Sequence, residues 1–107
     1  MPVVIVETSI FTRRVVRLLD EDSYRLLQAD LLQDPEKGVL MRGSGGLRKL
    51  RWALPGRGKR SGVRIIYYWA EAQDRLLMLL IYGKNEQDDL SAAQLRQLRQ
   101  LVEREFR

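Results

Sequence analysis

The chain changes its hydrophobic period once, at a glycine-rich segment that spans residues 43–46. Before this segment, apolar residues recur at helical spacing; after it come three strand-like runs, at 47–54, 63–69 and 75–82. The connections between these runs are short, and a parallel pair of strands needs a crossover of roughly a dozen residues or more. The second half of the chain therefore predicts a three-stranded antiparallel meander.

Further elements are predicted on either side of the meander. The β-branched run at 3–6 is typical of a strand, and apolar spacing predicts two helices before Pro35, which disfavours helical backbone at the preceding residue. Ser91 followed by Gln94 is the capping-box pattern at the start of a last helix. The order β-α-α-β-β-β-α predicts an α+β fold, an antiparallel β-sheet with helices packed on one face. The other face of the sheet is then left open and basic, at least near the strand that carries Lys49 and Arg51.

The length and two absences from the composition limit the class of protein. A chain of 107 residues allows one domain, residues 1–107, because a second domain would lack a core of its own. No run approaches the ~20 apolar residues of a membrane span and no signal-peptide pattern is present, so we expect a cytoplasmic protein with no membrane partner. The sequence contains no cysteine and no histidine, which excludes thiolate and imidazole chemistry.

One window, residues 42–68, carries eight cations and no acidic residue. The flanking segments, 1–41 and 69–107, have net charges of −2 and −1, so this window supplies more than the whole net charge of +5. A run of charges is usually a solvated face, but uncompensated cations repel one another and favour an anionic partner. Because nucleic acid is the commonest polyanion, the window predicts a nucleic-acid-binding surface.

Alternation in the first two strands of the meander separates cations from apolar residues. Lys49 and Arg51 project on the side opposite to Leu50, and Arg64 on the next strand is expected opposite or diagonal to them. Guanidinium groups bind phosphodiesters through paired hydrogen bonds. Tyr68, on the strand face of Arg64, is a candidate for stacking on a base of single-stranded RNA, with packing inside the sheet as the alternative.

Polar residues also flank these strands. The loop at 55–62 adds three cations at the rim of the sheet: Arg57, Lys59 and Arg60. Lys84 and Asn85 follow the last strand, where a polar connection to the next helix is the alternative interpretation. The carboxylates within 86–89 precede a helix N-terminus, where compensation of the helix dipole is commoner than metal binding, so we expect no metal site.

Four segments in this order resemble the RelE/ParE toxin superfamily, most closely its HigB-like branch. They are Gly-Gly-Leu-Arg-Lys-Leu-Arg (45–51), Gly-Arg-Gly-Lys-Arg-Ser-Gly (56–62), Val-Arg-Ile-Ile-Tyr-Tyr-Trp (63–69) and Ile-Tyr-Gly-Lys-Asn-Glu (81–86). The resemblance covers nearly the whole chain. It implies a RelE-like fold and the toxin of a type II toxin–antitoxin pair, an mRNA interferase that cleaves translated mRNA in the ribosomal A site.

The resemblance also implies roles for individual residues. By position, Lys49, Arg51 and Arg64 match basic active-site positions of the family, and Lys84 matches the basic position after the last strand more loosely. The residues expected to contact RNA are Arg48, Arg57, Lys59, Arg60, Tyr68 and Asn85. Some members use histidines or a tyrosine near the C-terminus, whereas the last tyrosine of this chain is Tyr82.

The chemistry and partners implied by the resemblance are as follows. The RNA 2′-hydroxyl is expected to attack its adjacent phosphate without a metal or other cofactor, with Lys49 as base and Lys84 or Lys59 as acid. The partners are a HigA-like antitoxin with a helix-turn-helix DNA-binding domain, the ribosome with its rRNA, and mRNA. Two alternatives stay open: a gyrase-targeting toxin of the ParE type, against which the density of cations counts, and a non-catalytic RNA-binding module.

Overall fold

A computed structural model describes residues 2–54, 62–87 and 89–106 of the chain. In chain order the elements are β1 (Val4–Glu7), α1 (Ser9–Leu18), α2 (Glu21–Gln33), β2 (Val39–Leu40), β3 (Leu47–Trp52), β4 (Val63–Ala70), β5 (Arg75–Gly83) and α3 (Ala92–Phe106). A single 3-10 turn, Glu71–Gln73, joins β4 to β5. The predicted α+β class and the predicted order of elements are confirmed, with the short β2 in addition.

The strands form one sheet in the order β1-β5-β4-β3-β2. Antiparallel pairing of β3 with β4 and of β4 with β5 confirms the predicted meander. β1, however, runs parallel to β5, with Val4 beside Arg75, so the sheet is mixed and not wholly antiparallel. The helices α1 and α2 follow β1, so no hairpin dictates its direction, and β1 joins the sheet edge beside β5 in the parallel sense.

The helices cover both faces of the sheet, which corrects the expectation that they pack on one face. α1 and α2 pack on one face through a core that includes Phe11 and Leu27, whereas α3 packs on the other through Val102 and its neighbours. The physical reason is β5, in which every residue after Arg75 is buried, so that both of its faces need a cover. None of the described helices is long and apolar enough to cross a membrane.

At the start of each described helix, a side chain accepts a hydrogen bond from a backbone N–H that has no partner within the helix. Thr8 and Asp20 precede α1 and α2, and each accepts a hydrogen bond from the backbone N–H three residues on, at 3.1 and 2.7 Å. Before α3, the Gln94 N–H donates to Ser91 Oγ at 3.1 Å and the Ser91 N–H donates to Gln94 Oε1 at 3.0 Å. The predicted capping box is therefore confirmed.

The glycine-rich segment is a tight turn that leads the chain into β3. Three of its glycines, Gly43, Gly45 and Gly46, have positive φ angles of 70°, 74° and 108°, which residues with a Cβ rarely adopt. Ser44 is buried among them and donates from Oγ to the Met41 carbonyl at 2.6 Å. This turn ends the helical half of the chain and sets the start of the basic strand.

The hydroxyl of Tyr67 joins β4 to the segment after α2, and its removal gives a testable loss of stability. The side chain is fully buried; the hydroxyl donates to the Pro35 carbonyl at 2.7 Å and accepts from the Gly38 N–H at 2.8 Å. Burial raises the pKa of this tyrosine. Because Tyr67→Phe leaves both backbone groups without their partner, we expect the free energy of unfolding to fall by about 1–3 kcal/mol in urea titrations.

A matched control for this prediction is Tyr82→Phe. Tyr82 is also buried in the sheet, but its hydroxyl has no hydrogen-bond partner among the described residues. Removing that hydroxyl breaks no hydrogen bond in the described part of the chain, so we expect no loss of stability. If both variants lose the same free energy of unfolding, the loss comes from removing a hydroxyl from a buried ring and not from the hydrogen bonds of Tyr67.

Candidate functional site

A row of polar side chains crosses three strands on the face that α3 partly covers. Arg51 of β3 lies directly opposite Arg64 of β4, which in turn lies directly opposite Tyr82 of β5. Lys49 stands two residues before Arg51 on the same face, opposite Ile66, whose side chain belongs to the core under α3. We call Lys49, Arg51 and Arg64 the basic cluster. The structure brings these three predicted site residues together.

The two arginines of the basic cluster place two positive charges next to each other on neighbouring strands. Directly opposed residues have Cβ atoms about 4.5–5.5 Å apart, a distance at which like charges are destabilising. Arg64 is only 6% exposed, and its guanidinium donates one hydrogen bond within the described residues, from Nη1 to the Val63 carbonyl at 3.3 Å. Neither arginine forms an ion pair with any described carboxylate.

Open space lies beside these arginines. A cleft of about 330 Å³ is lined by Arg51, Trp52, Ala53 and Arg64. Arg64 is a buried cation with no described carboxylate beside it, which is costly in the free protein, and an anion that enters the cleft reduces that cost. The geometry is therefore that of an anion-binding site with two guanidinium donors.

Lys49 differs from the arginines because it has an acidic partner. Its Nζ lies 3.3 Å from Oδ1 of Asp89, in the segment that precedes α3. A second cleft of about 330 Å³ adjoins this pair and is lined partly by the apolar Val39, Leu40 and Leu95. In the free protein Lys49 is therefore paired with a carboxylate, whereas Arg51 and Arg64 have no such partner in the described part of the chain.

Lys84 and Asn85 lie in the turn after β5, at the end of the sheet where β4 begins. The backbone N–H of Lys84 donates to the Gly62 carbonyl at 3.1 Å, which places Lys84 two residues from Arg64 across the sheet. The ammonium of Lys84 makes no hydrogen bond or ion pair with the described residues, and Asn85 is exposed. Both residues are thus at the rim of the basic cluster.

The turn itself is held by Glu86. The Gly83 N–H donates to Glu86 Oε1 at 3.1 Å, and Arg14 of α1 forms an ion pair with the same carboxylate. The hydrogen bond from Gly83, followed by that from Arg14, holds the pKa of Glu86 below its usual range. The carboxylates at 86 and 89 therefore have identified partners within the protein, Arg14 for the first and Lys49 for the second.

Two other predicted RNA contacts, Arg48 and Tyr68, are engaged elsewhere in the protein. Arg48 lies on the opposite face of β3, where Nη1 donates to the carbonyls of Glu36 and Gly38 at 3.0 and 2.8 Å. Tyr68 is on the face of Arg64 but four residues along β4, with its ring against Phe106 at a centroid distance of 6.2 Å. Arg57, Lys59 and Arg60, the predicted RNA-contacting loop, lie outside the described residues.

Tyr82 is a residue that the sequence patterns do not single out. Its side chain is 1% exposed and its hydroxyl has no partner among the described residues. Burial raises the pKa of Tyr82, the charge of Asp89 raises it further, and the charge of Arg64 lowers it. Tyr82 lies beside the basic cluster because β4 and β5 pair in the register that sets it opposite Arg64. This register cannot be read from the alternation of residues within either strand.

Comparison with known proteins bears on the fold. No family model matches the sequence. Among solved structures, the chain is similar to the E. coli toxin RelE, determined as a double arginine-to-alanine mutant in the free state, with a TM-score of 0.59 and 13% sequence identity. The similarity covers 82% of this chain and 90% of the RelE chain. The mixed sheet of five strands, flanked by three helices in the described residues, is a RelE-like fold.

Proposed function

We propose that the chain is the toxin of a type II toxin–antitoxin pair, of the HigB-like branch of the RelE/ParE superfamily, and that it cleaves translated mRNA in the ribosomal A site. The observation that carries the proposal is the opposed pair Arg51 and Arg64, two cations without a described carboxylate partner beside an open cleft. The RelE-like fold supports it, since the similar solved structure is that of a toxin. A cleft lined by guanidinium groups suits a phosphodiester.

The proposed reaction uses the RNA as its own nucleophile. The 2′-hydroxyl attacks the adjacent phosphorus, and the bond from phosphorus to the 5′-oxygen breaks, which leaves a 2′,3′-cyclic phosphate and a free 5′-hydroxyl. The proton of the 2′-hydroxyl passes to Lys49, and Lys84 donates a proton to the departing 5′-oxygen. No metal and no redox step is required.

The arginines of the basic cluster stabilise the charge that develops in this reaction. Two negative charges accumulate on the non-bridging oxygens of the pentacoordinate phosphorus intermediate, and Arg51 and Arg64 lie beside them on neighbouring strands of the sheet. A preorganised donor of this kind is worth about 2.7–4 kcal/mol in the transition state. The ribosome supplies the orientation of the mRNA, so that the reaction proceeds without a strong base in the toxin.

The proposed partners follow from this role. The ribosome and mRNA place the active toxin in the cytoplasm, and a HigA-like antitoxin with a helix-turn-helix domain neutralises it. Arg57, Lys59 and Arg60 contact RNA from their loop, and Asn85 does so from the turn beside Lys84. Arg48 and Tyr68 are left out of the proposed contacts, because Arg48 faces away from the basic cluster and Tyr68 packs against Phe106.

Primer extension on cellular mRNA after induction of the protein tests this proposal. We expect new 5′ ends inside translated regions with the wild type, and about 100-fold fewer with Arg51→Ala, because one donor of ~2.7–4 kcal/mol is lost. Arg51 is exposed, so the variant keeps its fold. The control Arg25→Ala removes the same charge from an exposed position on α2 and should cleave like the wild type.

Two results, from primer extension combined with a translation assay or a gyrase supercoiling assay, would overturn the proposed function. Arrested translation with intact mRNA would identify a non-catalytic RNA-binding module. Intact mRNA together with inhibition of DNA supercoiling by purified gyrase would identify a toxin of the ParE type.

A further inference from the structure

Two side chains beside the basic cluster have no part in the reaction proposed above. They are Tyr82, at the β5 end of the row, and Asp89, in the segment before α3. The Tyr82 hydroxyl has no hydrogen-bond partner among the described residues, and the charge of Asp89 is close enough to raise the pKa of Tyr82.

The hydroxyl of Tyr82 is buried and unpartnered. It has no hydrogen-bond partner among the described residues, and the whole side chain is 1% exposed. Leaving a buried hydroxyl without a partner is unfavourable, and native structures contain few such groups. The neighbour directly across the sheet is Arg64, a donor, which cannot accept the hydroxyl proton. Within the described ranges the hydroxyl therefore has no acceptor, and a phosphate oxygen can be one.

Asp89 places a carboxylate at the same end of the sheet. Its Oδ1 lies 3.3 Å from Lys49 Nζ and accepts the Leu90 N–H at 2.8 Å. Its negative charge is felt at Tyr82, whose pKa it raises after the larger effect of burial. The side chain of Asp89 is 61% exposed, and ion pairs that are exposed to this degree are weak. This carboxylate can therefore be displaced by a stronger anion.

A phosphate group is better matched to the three surrounding donors than this carboxylate. The Asp89 carboxylate contacts Lys49 and the Leu90 N–H, and neither Arg64 nor Tyr82 has an anionic acceptor among the residues that the structure describes. A phosphodiester offers two non-bridging oxygens with a full negative charge between them. These oxygens can accept from Lys49, Arg64 and Tyr82 together once Asp89 has moved away.

We propose that Asp89 occupies the phosphate position of the free toxin, and that Tyr82 is a substrate-contacting residue whose hydroxyl binds the RNA phosphate that displaces Asp89. The inference rests on the proposed function, because it takes RNA as the ligand of the basic cluster. It adds one donor to that site and one competing carboxylate. Binding of RNA moves Asp89 away from Lys49 and gives the Tyr82 hydroxyl its acceptor.

Fluorescence anisotropy with a labelled, non-cleavable 2′-O-methyl RNA oligonucleotide at low salt tests this proposal. Asp89→Asn removes the competing charge, so we expect the RNA to bind about tenfold more tightly than to the wild type. Tyr82→Phe removes one donor to a charged acceptor, so we expect binding about tenfold weaker in the wild-type and Asp89→Asn backgrounds alike. The thermal midpoint of Tyr82→Phe is expected to be at least that of the wild type, which separates ligand contact from a role in packing.

The control for net charge is Asp22→Asn. Asp22 is an exposed acid on α2, so its replacement makes the same change in net charge at a distance from the basic cluster. A gain in affinity with Asp89→Asn no larger than that with Asp22→Asn would overturn the role of Asp89. Unchanged RNA affinity in Tyr82→Phe, or no binding by any variant, would overturn the role of Tyr82. Displacement of the RNA by micromolar inorganic phosphate would overturn the assignment to a phosphodiester.

The inference and the proposed function fail in different ways. RNA affinity that changes as expected in Asp89→Asn and Tyr82→Phe, with no cleavage of mRNA on ribosomes, would support the phosphate site and contradict the proposed endoribonuclease activity. If mRNA is cleaved by the wild type but RNA affinity ignores both substitutions, the proposed function stands and the inference is wrong.

Discussion

Replacement of Arg64 by alanine is expected to lower ribosome-dependent mRNA cleavage by about 100- to 1,000-fold, the usual effect of removing one preorganised donor from a developing oxyanion. Arg64 lies at the centre of the row, between Arg51 and Tyr82, and no described carboxylate competes for its guanidinium. The rate of cleavage of a defined mRNA by purified ribosomes and toxin is the measurement. Cleavage within twofold of the wild-type rate would contradict the assignment of Arg64.

Burial of Arg64 requires a control for folding. The side chain is 6% exposed, so Arg64→Ala leaves a space in the sheet face, but it also removes a buried cation that opposes Arg51. We expect the circular dichroism spectrum to be retained. Arg64→Lys keeps the charge but loses the paired donors of the guanidinium, so we expect an intermediate rate. A rate for the lysine variant equal to that of the alanine variant would indicate that paired hydrogen bonds, not charge, make the whole contribution.

The largest loss of stability is expected on the opposite face of the sheet, with Phe11→Ala. Phe11 is fully buried in the core that α1 and α2 form with the sheet, and its ring lies 5.9 Å from that of Tyr24, centroid to centroid. Removing a buried phenylalanine side chain costs about 3–5 kcal/mol, which is a large part of the ~5–15 kcal/mol that stabilises a typical domain. Urea unfolding followed by circular dichroism measures the change.

Val16→Ala is the matched control on the same helix. Val16 is 74% exposed, so its replacement is expected to change the free energy of unfolding by less than about 0.5 kcal/mol. A loss below 1 kcal/mol for Phe11→Ala would show that α1 contributes little to the fold. The basic cluster lies on the other face, so any folded fraction of Phe11→Ala should cleave mRNA at the wild-type rate.

The strands and the face that their residues share were predictable because alternation is a local property. Lys49 and Arg51 on one side of β3 and Leu50 on the other follow from the period of two residues, and the structure confirms that arrangement. The same period already placed Arg48 on the opposite side from Lys49. The expectation that Arg48 contacts RNA did not use this period, and its side chain instead donates to the carbonyls of Glu36 and Gly38.

The path of α3 was not predictable from its own sequence. A stripe of apolar residues shows that a helix must pack on a sheet, but it does not say on which face. The placement of α3 on the face away from α1 depends on β5, which is apolar on both sides. The direction of β1 was unpredictable for a similar reason, since no hairpin joins it to its partner.

The roles of Tyr82 and Asp89 depend on pairing between segments that are distant in the sequence. Tyr82 meets Arg64 only through the register of β4 with β5, and Asp89 meets Lys49 through the path of the segment before α3. Neither contact can be predicted from the spacing of residues within one segment. The sequence window of cations predicted an anion-binding surface, and the structure adds which groups lie beside those cations.

Analysis of the RNA ends formed by the wild-type protein on purified ribosomes tests the proposed function most directly. A single mRNA is translated to a defined codon, the toxin is added, and the products are examined with and without ribosomes. We predict one cut within the A-site codon, ribosome-dependent, with a 2′,3′-cyclic phosphate on the upstream fragment and a 5′-hydroxyl on the downstream fragment. Intact mRNA, or a downstream fragment that carries a 5′-phosphate, would contradict the proposed attack by the 2′-hydroxyl.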